Sequence, residues 1–299
     1  MEKQRRIGWL IGLLLLLVLI AYVSGAFESA PSTVNVPEVS VAPEEIEAVE
    51  VRSAAFSVRA ERTNGVWHLT EPVPWLADSS AVSSFARSLS ELALESVVST
   101  NPERYGRYGV DSTAADVVLE TGDEELHFVV SDEGPDFSTT YVRLEGDARV
   151  FVGSPRISLP ADANRWRSRI VTSISTPTVQ SVSVTSPDES YTISSGAGGW
   201  SLEWVGETSP ADSAAVANWL RTFEPLRADG FLDADAVSDS LVHRVQFELS
   251  SGEATSFTIS EMENELGLRF AGEPGAVYRF FTSRKSALVP AVETLRSER

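Results

Sequence analysis

Two stretches of this sequence share one pattern and decide its predicted fold: Phe56–Leu69, FSVRAERTNGVWHL, and Tyr191–Leu202, YTISSGAGGWSL. Each stretch predicts a strand, a glycine-containing turn and a second strand, in which a tryptophan stands two positions before a leucine. Apolar alternation around Asn-Gly or Gly-Gly is typical of a β-hairpin. The chain therefore contains the same predicted hairpin twice.

A helix is predicted after each hairpin. Asp78 and Asp212 precede small and apolar residues, and an aspartate in this place can accept a hydrogen bond from an N–H of the first helical turn. The apolar residues that recur at helical spacing are Val82, Phe85, Leu89 and Leu92 in the first copy, and Val216, Leu220 and Phe223 in the second. We expect each helix to lay its apolar side on a sheet.

Further strands follow both helices, and matching segments are separated by about 126 to 134 positions. The matching pairs are Asp116–Thr121 with Val245–Leu249, Leu126–Val130 with Thr255–Ile259, Tyr141–Gly146 with Leu266–Gly272, and Val150–Val152 with Val277–Phe280. The sequence thus predicts an α+β fold with two tandem, related units of mainly antiparallel sheet and one main packed helix each, at residues 46–172 and 173–299. The alternative is a chance similarity.

The first 27 residues predict a membrane anchor. Ile7–Phe27 carries no charged side chain, and as a helix it would extend about 32 Å at about 1.5 Å per residue, which matches a hydrocarbon core of about 30 Å. Basic residues at positions 3, 5 and 6 precede this segment, so the positive-inside rule predicts a single-pass protein of the cytoplasmic membrane with a cytoplasmic N-terminus and a periplasmic or extracellular bulk.

Two features adjoin this segment. Residues 28–45 are rich in proline and glutamate and predict an extended linker between the anchor and the folded part. Ser24 and Ala26 are small residues that would also suit the processing site of a signal peptide, which is the alternative to an anchor. Both interpretations place the remainder of the chain outside the cytoplasm.

Composition excludes several functional classes. Of the 299 residues 42% are hydrophobic and 22% are charged, which is typical of a globular protein with a core. The chain has no cysteine, which excludes disulfides, iron–sulfur clusters, cysteine-ligated zinc and a cysteine nucleophile. The formal net charge of −19 argues against nucleic acid as a partner, because phosphate requires clustered Lys and Arg.

No motif predicts catalytic, cofactor-binding or metal-binding residues. His68, His127 and His243 are far apart and show no ligand spacing such as HExxH. No G-x-S-x-G elbow is present, and Gly196–Gly199 leads into a strand rather than a helix, as expected for a hairpin turn. A pair of carboxylates for acid-dependent hydrolysis stays open, because their separation is a property of the fold.

Five residues are candidates for an interaction site: Trp75, Arg165, Trp166, Arg167 and Arg169. Arginines around a tryptophan can form a protein-binding hot spot, and an exposed tryptophan can contact a sugar. In the alternative, Trp166 closes the core of the first unit while the arginines pair with its acidic surface. Trp75, just before a helix cap, would then serve as a hydrophobic staple.

Several motifs resemble one known family. They are NGVWHLTEP at 64–72, LAD at 76–78, RYGRYGV at 104–110, TTYVRLEG at 139–146, VFVG at 150–153 and NRWRSRI at 164–170. With these motifs the chain resembles the uncharacterised bacterial family catalogued as domain of unknown function 4340, closely over residues 46–170 and loosely in the second copy. The second copy departs from the pattern, because DGFLDADAVSD at 229–239 stands where the tyrosine-glycine motif would be.

The resemblance implies a membrane-anchored extracytoplasmic protein, often encoded beside ABC-transporter components of the gliding-motility or exporter type, and it implies no catalytic residues. We therefore expect a non-enzymatic accessory or assembly component of an ABC-type transport complex, with the membrane and proteins of that complex as its partners. The alternatives are a module that binds cell-envelope glycan and an acid-dependent hydrolase.

Overall fold

The computed structural model describes residues 36–37, 41–122, 124–233, 237, 242–272 and 275–297. The described strands of the first half are β1 (Ile46–Arg52), β2 (Ser57–Thr63), β3 (Val66–Glu71), β4 (Trp75–Leu76), β5 (Ala93–Ser99), β6 (Ala115–Thr121), β7 (Glu125–Val130), β8 (Thr140–Leu144), β9 (Val150–Ser154) and β10 (Ile170–Thr172). Those of the second half are β11 (Val179–Thr185), β12 (Ser190–Gly196), β13 (Gly199–Trp204), β14 (Glu207–Pro210), β15 (Leu226–Arg227), β16 (Gly230–Leu232), β17 (Val242–Leu249), β18 (Ala254–Glu261), β19 (Glu265–Phe270) and β20 (Val277–Phe281).

Helices are few among these residues. The α-helices are α1 (Ser79–Ser90), α2 (Ser213–Leu220) and α3 (Lys285–Leu288). Short 3-10 helices cover Pro102–Tyr108, Ala163–Trp166, Thr176–Thr178, Arg221–Phe223, Thr282–Arg284 and Val292–Leu295. The helices predicted after Asp78 and Asp212 are α1 and α2, and α2 ends at Leu220, so that Phe223 lies in the following 3-10 helix.

No helix in the described part of the chain is long and apolar enough to cross a membrane. The transmembrane helix predicted at Ile7–Phe27 lies outside the described residues, as does most of the linker predicted at 28–45.

Two large sheets dominate the described residues, and their strands pair in a mainly antiparallel way. The first has the order β4-β3-β2-β1-β6-β7-β8-β9-β5, and the second has the order β14-β13-β12-β11-β17-β18-β19-β20-β16. A small antiparallel sheet pairs β10 with β15. The predicted α+β class with mainly antiparallel sheet is confirmed. The two large sheets also follow one strand order, with β16 in the position that β5 holds in the first.

The chain divides into two compact units. One contains Ser88–Ala114 and Phe128–Ile157. The other contains Ala42–Arg87, Ala115–His127 and Ser158–Arg299, so it includes residues from both halves of the chain. The boundary predicted between residues 172 and 173 separates the two sequence repeats and is not a boundary between these compact units. It stays a prediction.

Alternation along the strands of the second unit places apolar residues on one side. Val49, Val51 and Val58 are fully buried, and they stand on the same side of β1 and β2 because successive side chains of a strand alternate. Trp67, on β3, is 3% exposed and donates a hydrogen bond from Nε1 to Ser83 Oγ of α1 at 3.0 Å. Helix α1 therefore lies against β3, and the buried indole N–H has a partner.

The start of each main helix is held by the same backbone contacts. The Asp78 N–H donates to Trp166 O at 2.7 Å, and the Asp212 N–H donates to Leu295 O at 2.9 Å. Trp166 and Leu295 are buried, and each ends a 3-10 helix. Isolated bridges also join Ala77 to Arg167 and Ala211 to Arg296. The same arrangement of helix start and closing segment thus occurs in both halves.

We predict that Asp212→Ala lowers the free energy of unfolding by about 1 kcal/mol. The Asp212 Oδ1 atom accepts hydrogen bonds from the N–H groups of Ala214 at 2.8 Å and Ala215 at 3.1 Å, and alanine would leave both donors without this partner. Equilibrium urea unfolding of the full chain measures the change. The matched control is Asp188→Ala, at an exposed position in a turn. The free energy of unfolding of this variant should stay within about 0.5 kcal/mol of that of the parent. Equal effects of the two variants would refute the capping role.

Candidate interaction surface

Trp75 lies in β4 and is only partly exposed. Its Nε1 atom donates a hydrogen bond to Ser168 O at 3.1 Å. Its ring packs against Phe231 and Tyr278, with centroids 5.9 Å apart in both pairs, and it adjoins a hydrophobic core formed mainly by residues of the second half. The ring therefore serves internal packing, and stacking a sugar would require a ring face that these neighbours leave free.

Arg167 contacts the same aromatic cluster. Its guanidinium carbon lies 4.3 Å from the centroid of the Trp75 ring and 3.9 Å from that of Phe231, and the two rings meet edge to face at 88°. An Nη1 hydrogen bond to Asn164 Oδ1 at 3.0 Å fixes the head group further. A cation in the corner between two rings makes a cation–π interaction with each of them. Each interaction contributes roughly 0.5–2 kcal/mol of stabilisation, more where the cation is less exposed to solvent.

The other three candidate residues lie in different environments. Trp166 is 2% exposed and packs against Phe85 of α1, with ring centroids 5.0 Å apart. Arg169 is partly exposed, and its carbonyl accepts the N–H of Ala228 at 2.8 Å. Arg165 is exposed. The five residues thus do not form one open surface, because Trp75, Trp166 and Arg167 are engaged in packing.

The most exposed aromatic residue of the described chain is not among the five candidates taken from the sequence. Phe137, between β7 and β8, is 96% exposed. It stands in the run Ser131–Thr140, SDEGPDFSTT, where polar and turn-forming residues surround a single large apolar side chain. That composition is a signal that sequence reading could have used, because such a run cannot bury a phenylalanine by strand alternation.

The backbone around Phe137, here named the Phe137 loop (residues 131–139), is held on both sides of the ring. Asp136 Oδ1 accepts hydrogen bonds from the N–H and Oγ of Ser138, both at 2.8 Å, and from Thr139 Oγ1 at 2.9 Å. Arg156 donates its N–H to Ser138 O at 2.7 Å. At Gly134 a Cβ atom would lie 2.2 Å from the carbonyl oxygen of Thr139, so only glycine fits there. The backbone on both sides of Phe137 is therefore held in place, while the ring itself is exposed.

The Phe137 loop is also acidic. Asp132, Glu133 and Asp136 are exposed around the ring. Hydrogen bonds from Ser138 and Thr139 hold the pKa of Asp136 below its usual value, so this carboxylate stays charged in mildly acidic conditions. An exposed aromatic ring beside acidic residues suits a partner that offers an apolar pocket with Lys or Arg around it.

A second polar cluster, which we name the His243 cluster, consists of His243, Ser186, Glu261 and Lys285. His243 is 4% exposed, its Nδ1 lies 2.8 Å from Ser186 Oγ, and its Nε2 faces Glu261 Oε1. With Nε2 protonated toward the carboxylate, Nδ1 can accept the serine proton, as in a serine nucleophile with its base. Lys285 Nζ lies 2.5 Å from the same Glu261 oxygen.

This cluster lacks the donors that acyl transfer needs next to the nucleophile. Pro187 has no N–H, and the N–H of Ser186 already donates to Glu189 O at 2.8 Å. An oxyanion would therefore meet no free N–H from the serine or from the residue that follows it. The arrangement instead ties the ends of β11, β17 and β18 to α3 by hydrogen bonds and an ion pair.

The outer side of the first sheet carries an ion-pair network on β1, β2 and β6. Arg59 donates from Nη1 and Nη2 to the two carboxylate oxygens of Glu120 at 2.5 and 2.7 Å, and from Nε to Glu61 at 2.9 Å. Glu50, which is 4% exposed, accepts a hydrogen bond from Arg52. The Arg59 hydrogen bonds lower the pKa of Glu120. Among the described residues no three His, Asp or Glu side chains are grouped so that they could hold a metal ion.

The fold and these surfaces define an α+β protein with two large antiparallel sheets of one strand order and an exposed aromatic ring on a hydrogen-bonded loop. The chain belongs to the family described as Domain of unknown function (DUF4340), whose model matches residues 67–243. The resemblance noted in the sequence motifs is thereby confirmed. No curated protein and no solved structure matches the chain.

We predict that Glu261→Gln makes the stability of the protein less sensitive to acid. The hydrogen bond from Lys285, followed by that from His243, lowers the pKa of Glu261 in the folded state. A lowered pKa contributes stability above the unfolded value of about 4.3, and this contribution is lost as the pH falls through the folded value. The free energy of urea unfolding should therefore fall less in the variant than in the parent between about pH 5 and pH 3.

The control for this measurement is Glu293→Gln, at an exposed position outside the cluster. The free energy of unfolding of this control should depend on pH in the same way as that of the parent. If Glu261→Gln and the parent lose the same free energy on acidification, the ion pair contributes nothing to stability.

Proposed function

We propose that this chain is a non-enzymatic, membrane-anchored protein that works outside the cytoplasm as an assembly component, with an ABC-type transport complex as its setting. The Phe137 loop carries the proposal of a protein partner, because it exposes a large apolar ring that no residue of the described part of the chain covers. Single exposed apolar residues are common, but a phenylalanine on a loop whose backbone is already ordered by hydrogen bonds of its neighbours is suited to act as an anchor.

The proposed location rests on the sequence. The uncharged segment Ile7–Phe27 follows basic residues, which supports a single-pass anchor with a cytoplasmic N-terminus. The linker proposed at 28–45 would lift the sheets away from the bilayer. The transport complex is suggested only by the family resemblance, through the genes that often accompany its members.

We further propose that the two large sheets belong to tandem, related units at 46–172 and 173–299. The shared strand order and the equivalent contacts of Asp78 and Asp212 support a duplication. Two copies of one scaffold would have equivalent sheet edges that carry different side chains, and these edges could bind different partners. This provides a physical basis for an assembly role without a catalytic centre.

We predict that Phe137 contacts a membrane partner in cells. A photo-crosslinking amino acid at position 137 of the full chain, in native membranes, should yield a discrete crosslinked protein, and mass spectrometry should identify a transport-complex component. The control carries the same label at Ser251, an exposed turn residue. Phe137→Ser should weaken recovery of that component by about tenfold or more, because a central aromatic anchor contributes roughly 1–2 kcal/mol or more.

The unfolding free energy of Phe137→Ser should stay within about 0.5 kcal/mol of the parent, since the ring packs on little of its own chain. Equal crosslinking at 137 and 251, or undiminished recovery with Phe137→Ser, would contradict the assignment of the loop.

A further inference from the structure

A repeat of arginine, tyrosine and glycine with a period of three occupies residues 104–109, RYGRYG. The structure forms the 3-10 helix Pro102–Tyr108 over this segment. A 3-10 helix has about three residues per turn, so that side chains three positions apart eclipse one another. The repeat therefore places its tyrosines on one side of the helix, its arginines on a second side and its glycines on a third.

The tyrosine side packs on β8. The Tyr108 ring meets that of Tyr141 at a centroid distance of 5.0 Å. The guanidinium carbon of Arg143 lies 4.9 Å from the centroid of the Tyr105 ring, and the Tyr105 hydroxyl donates to Ala148 O at 3.0 Å. Both tyrosines are thus engaged within the chain, and they hold the helix on the sheet.

The glycine side brings the helix against the base of the Phe137 loop. Gly109 has a φ of +60°, and a Cβ atom there would lie 2.7 Å from the Oγ atom of Ser131, the first residue of that loop. Tyr141, which packs on the helix, donates its N–H to Glu133 O of the loop at 2.9 Å. The helix and the Phe137 loop belong to the same compact unit. They are therefore neighbours on one surface.

The arginine side faces solvent. Arg104 and Arg107 are exposed, and one turn of the helix separates their Cα atoms by about 6 Å. Neither guanidinium forms an ion pair with a residue that the structure describes. Glu103 stands on the glycine side of the helix, three positions before Gly106. Two like charges are thus held side by side, and guanidinium groups of this kind bind carboxylates through charge-assisted hydrogen bonds.

The second sheet shows that the fold itself does not require these arginines. The registers of the two sheets place Gly267 where the first sheet has Tyr141. A Cβ atom at Gly267 would lie 3.1 Å from the methyl carbons of Val237. An aliphatic side chain therefore covers this position in the second sheet, and no pair of cations accompanies it in the sequence 229–239. The arginine pair is available for a contact outside the chain.

We propose that Arg104 and Arg107 bind two neighbouring carboxylates of the protein that docks at the Phe137 loop. Carboxylates at i and i+4 of a helix have Cβ atoms about 5–6 Å apart, which matches the spacing of the two arginines. This inference rests on the proposed assembly role and extends the surface of the Phe137 loop.

The charges of the neighbouring loop favour a protein as the occupant. Asp132, Glu133 and Asp136 are exposed there, and they would repel a uniformly anionic partner such as nucleic acid or an anionic bilayer. A protein can offer carboxylates to the arginines and cations to the loop at the same time.

Crosslinking beside the arginines tests the proposal. A photo-crosslinking amino acid in place of Glu103, in the full chain and in native membranes, keeps both arginines and should yield the same crosslinked protein as the label at position 137. Arg104→Glu combined with Arg107→Glu should weaken recovery of that protein about tenfold or more, because attraction to carboxylates becomes repulsion. The matched control reverses Arg227 and Arg244 to glutamate, two exposed arginines outside the motif, and should leave recovery unchanged.

An alanine pair separates binding from folding. Arg104→Ala combined with Arg107→Ala should leave the midpoint of urea unfolding unchanged, since neither side chain has an ionic partner in the described chain. Recovery of the partner by the parent should fall as NaCl is raised from about 0.05 to about 0.5 M, because salt screens exposed charges. Recovery by the alanine pair should be weaker at low salt and should depend less on salt.

Three results would overturn the inference. They are undiminished recovery with either pair of substitutions, an equal loss in the control, and saturable binding of inorganic phosphate to the parent in detergent micelles that the alanine pair abolishes. The last result, measured by isothermal titration, would assign the arginines to a phosphate group instead.

Failure of this inference and failure of the proposed role of the loop give different results. A partner at position 137 that neither crosslinks at 103 nor depends on the arginines would leave the loop assignment standing and remove this inference. A discrete partner at 103 that depends on the arginines but not on Phe137 would do the opposite.

Discussion

The contact of the Arg167 guanidinium with the rings of Trp75 and Phe231 is the interaction on which the arrangement of the larger compact unit depends. Trp75 and Arg167 come from the first half of the chain and Phe231 from the second. Together they attach the edge strand β4 to the core that contains Tyr278. A planar, weakly hydrated guanidinium suits this corner, and the smaller, more strongly hydrated ammonium of lysine would fit it less well.

This use of aromatic residues explains where the molecule can act. Trp75 and Trp166 pack against other aromatic rings of the chain. Residues that look like a binding site in the sequence therefore stabilise the fold instead. Among the described residues, the two most exposed large apolar side chains stand elsewhere, at Phe137 and Val205, each in a turn between antiparallel strands. Hairpin tips can vary without disturbing the ladder of hydrogen bonds, which makes them suitable places for contacts with partners.

Much of the fold could be predicted from the sequence because its signals are local. Alternation in β1 and β2 and the caps at Asp78 and Asp212 depend on neighbouring residues, and they place strands and helices close to where the structure has them. The environment of Trp75 could not be predicted, since Phe231 and Tyr278 are more than 150 positions away in sequence. The His243 cluster joins three strand ends and a helix, which no spacing along the chain indicates.

A double-mutant cycle between Arg167 and Phe231 tests the central contact most directly. Arg167→Ala, Phe231→Ala and the double variant are each unfolded in urea as full chains, and the interaction energy is the departure from additivity. The two side chains should be coupled by about 0.5–1.5 kcal/mol, as expected for a partly desolvated cation–π pair. Additive effects within about 0.3 kcal/mol would show that the two side chains do not interact, and would contradict the attachment of the two halves through this corner.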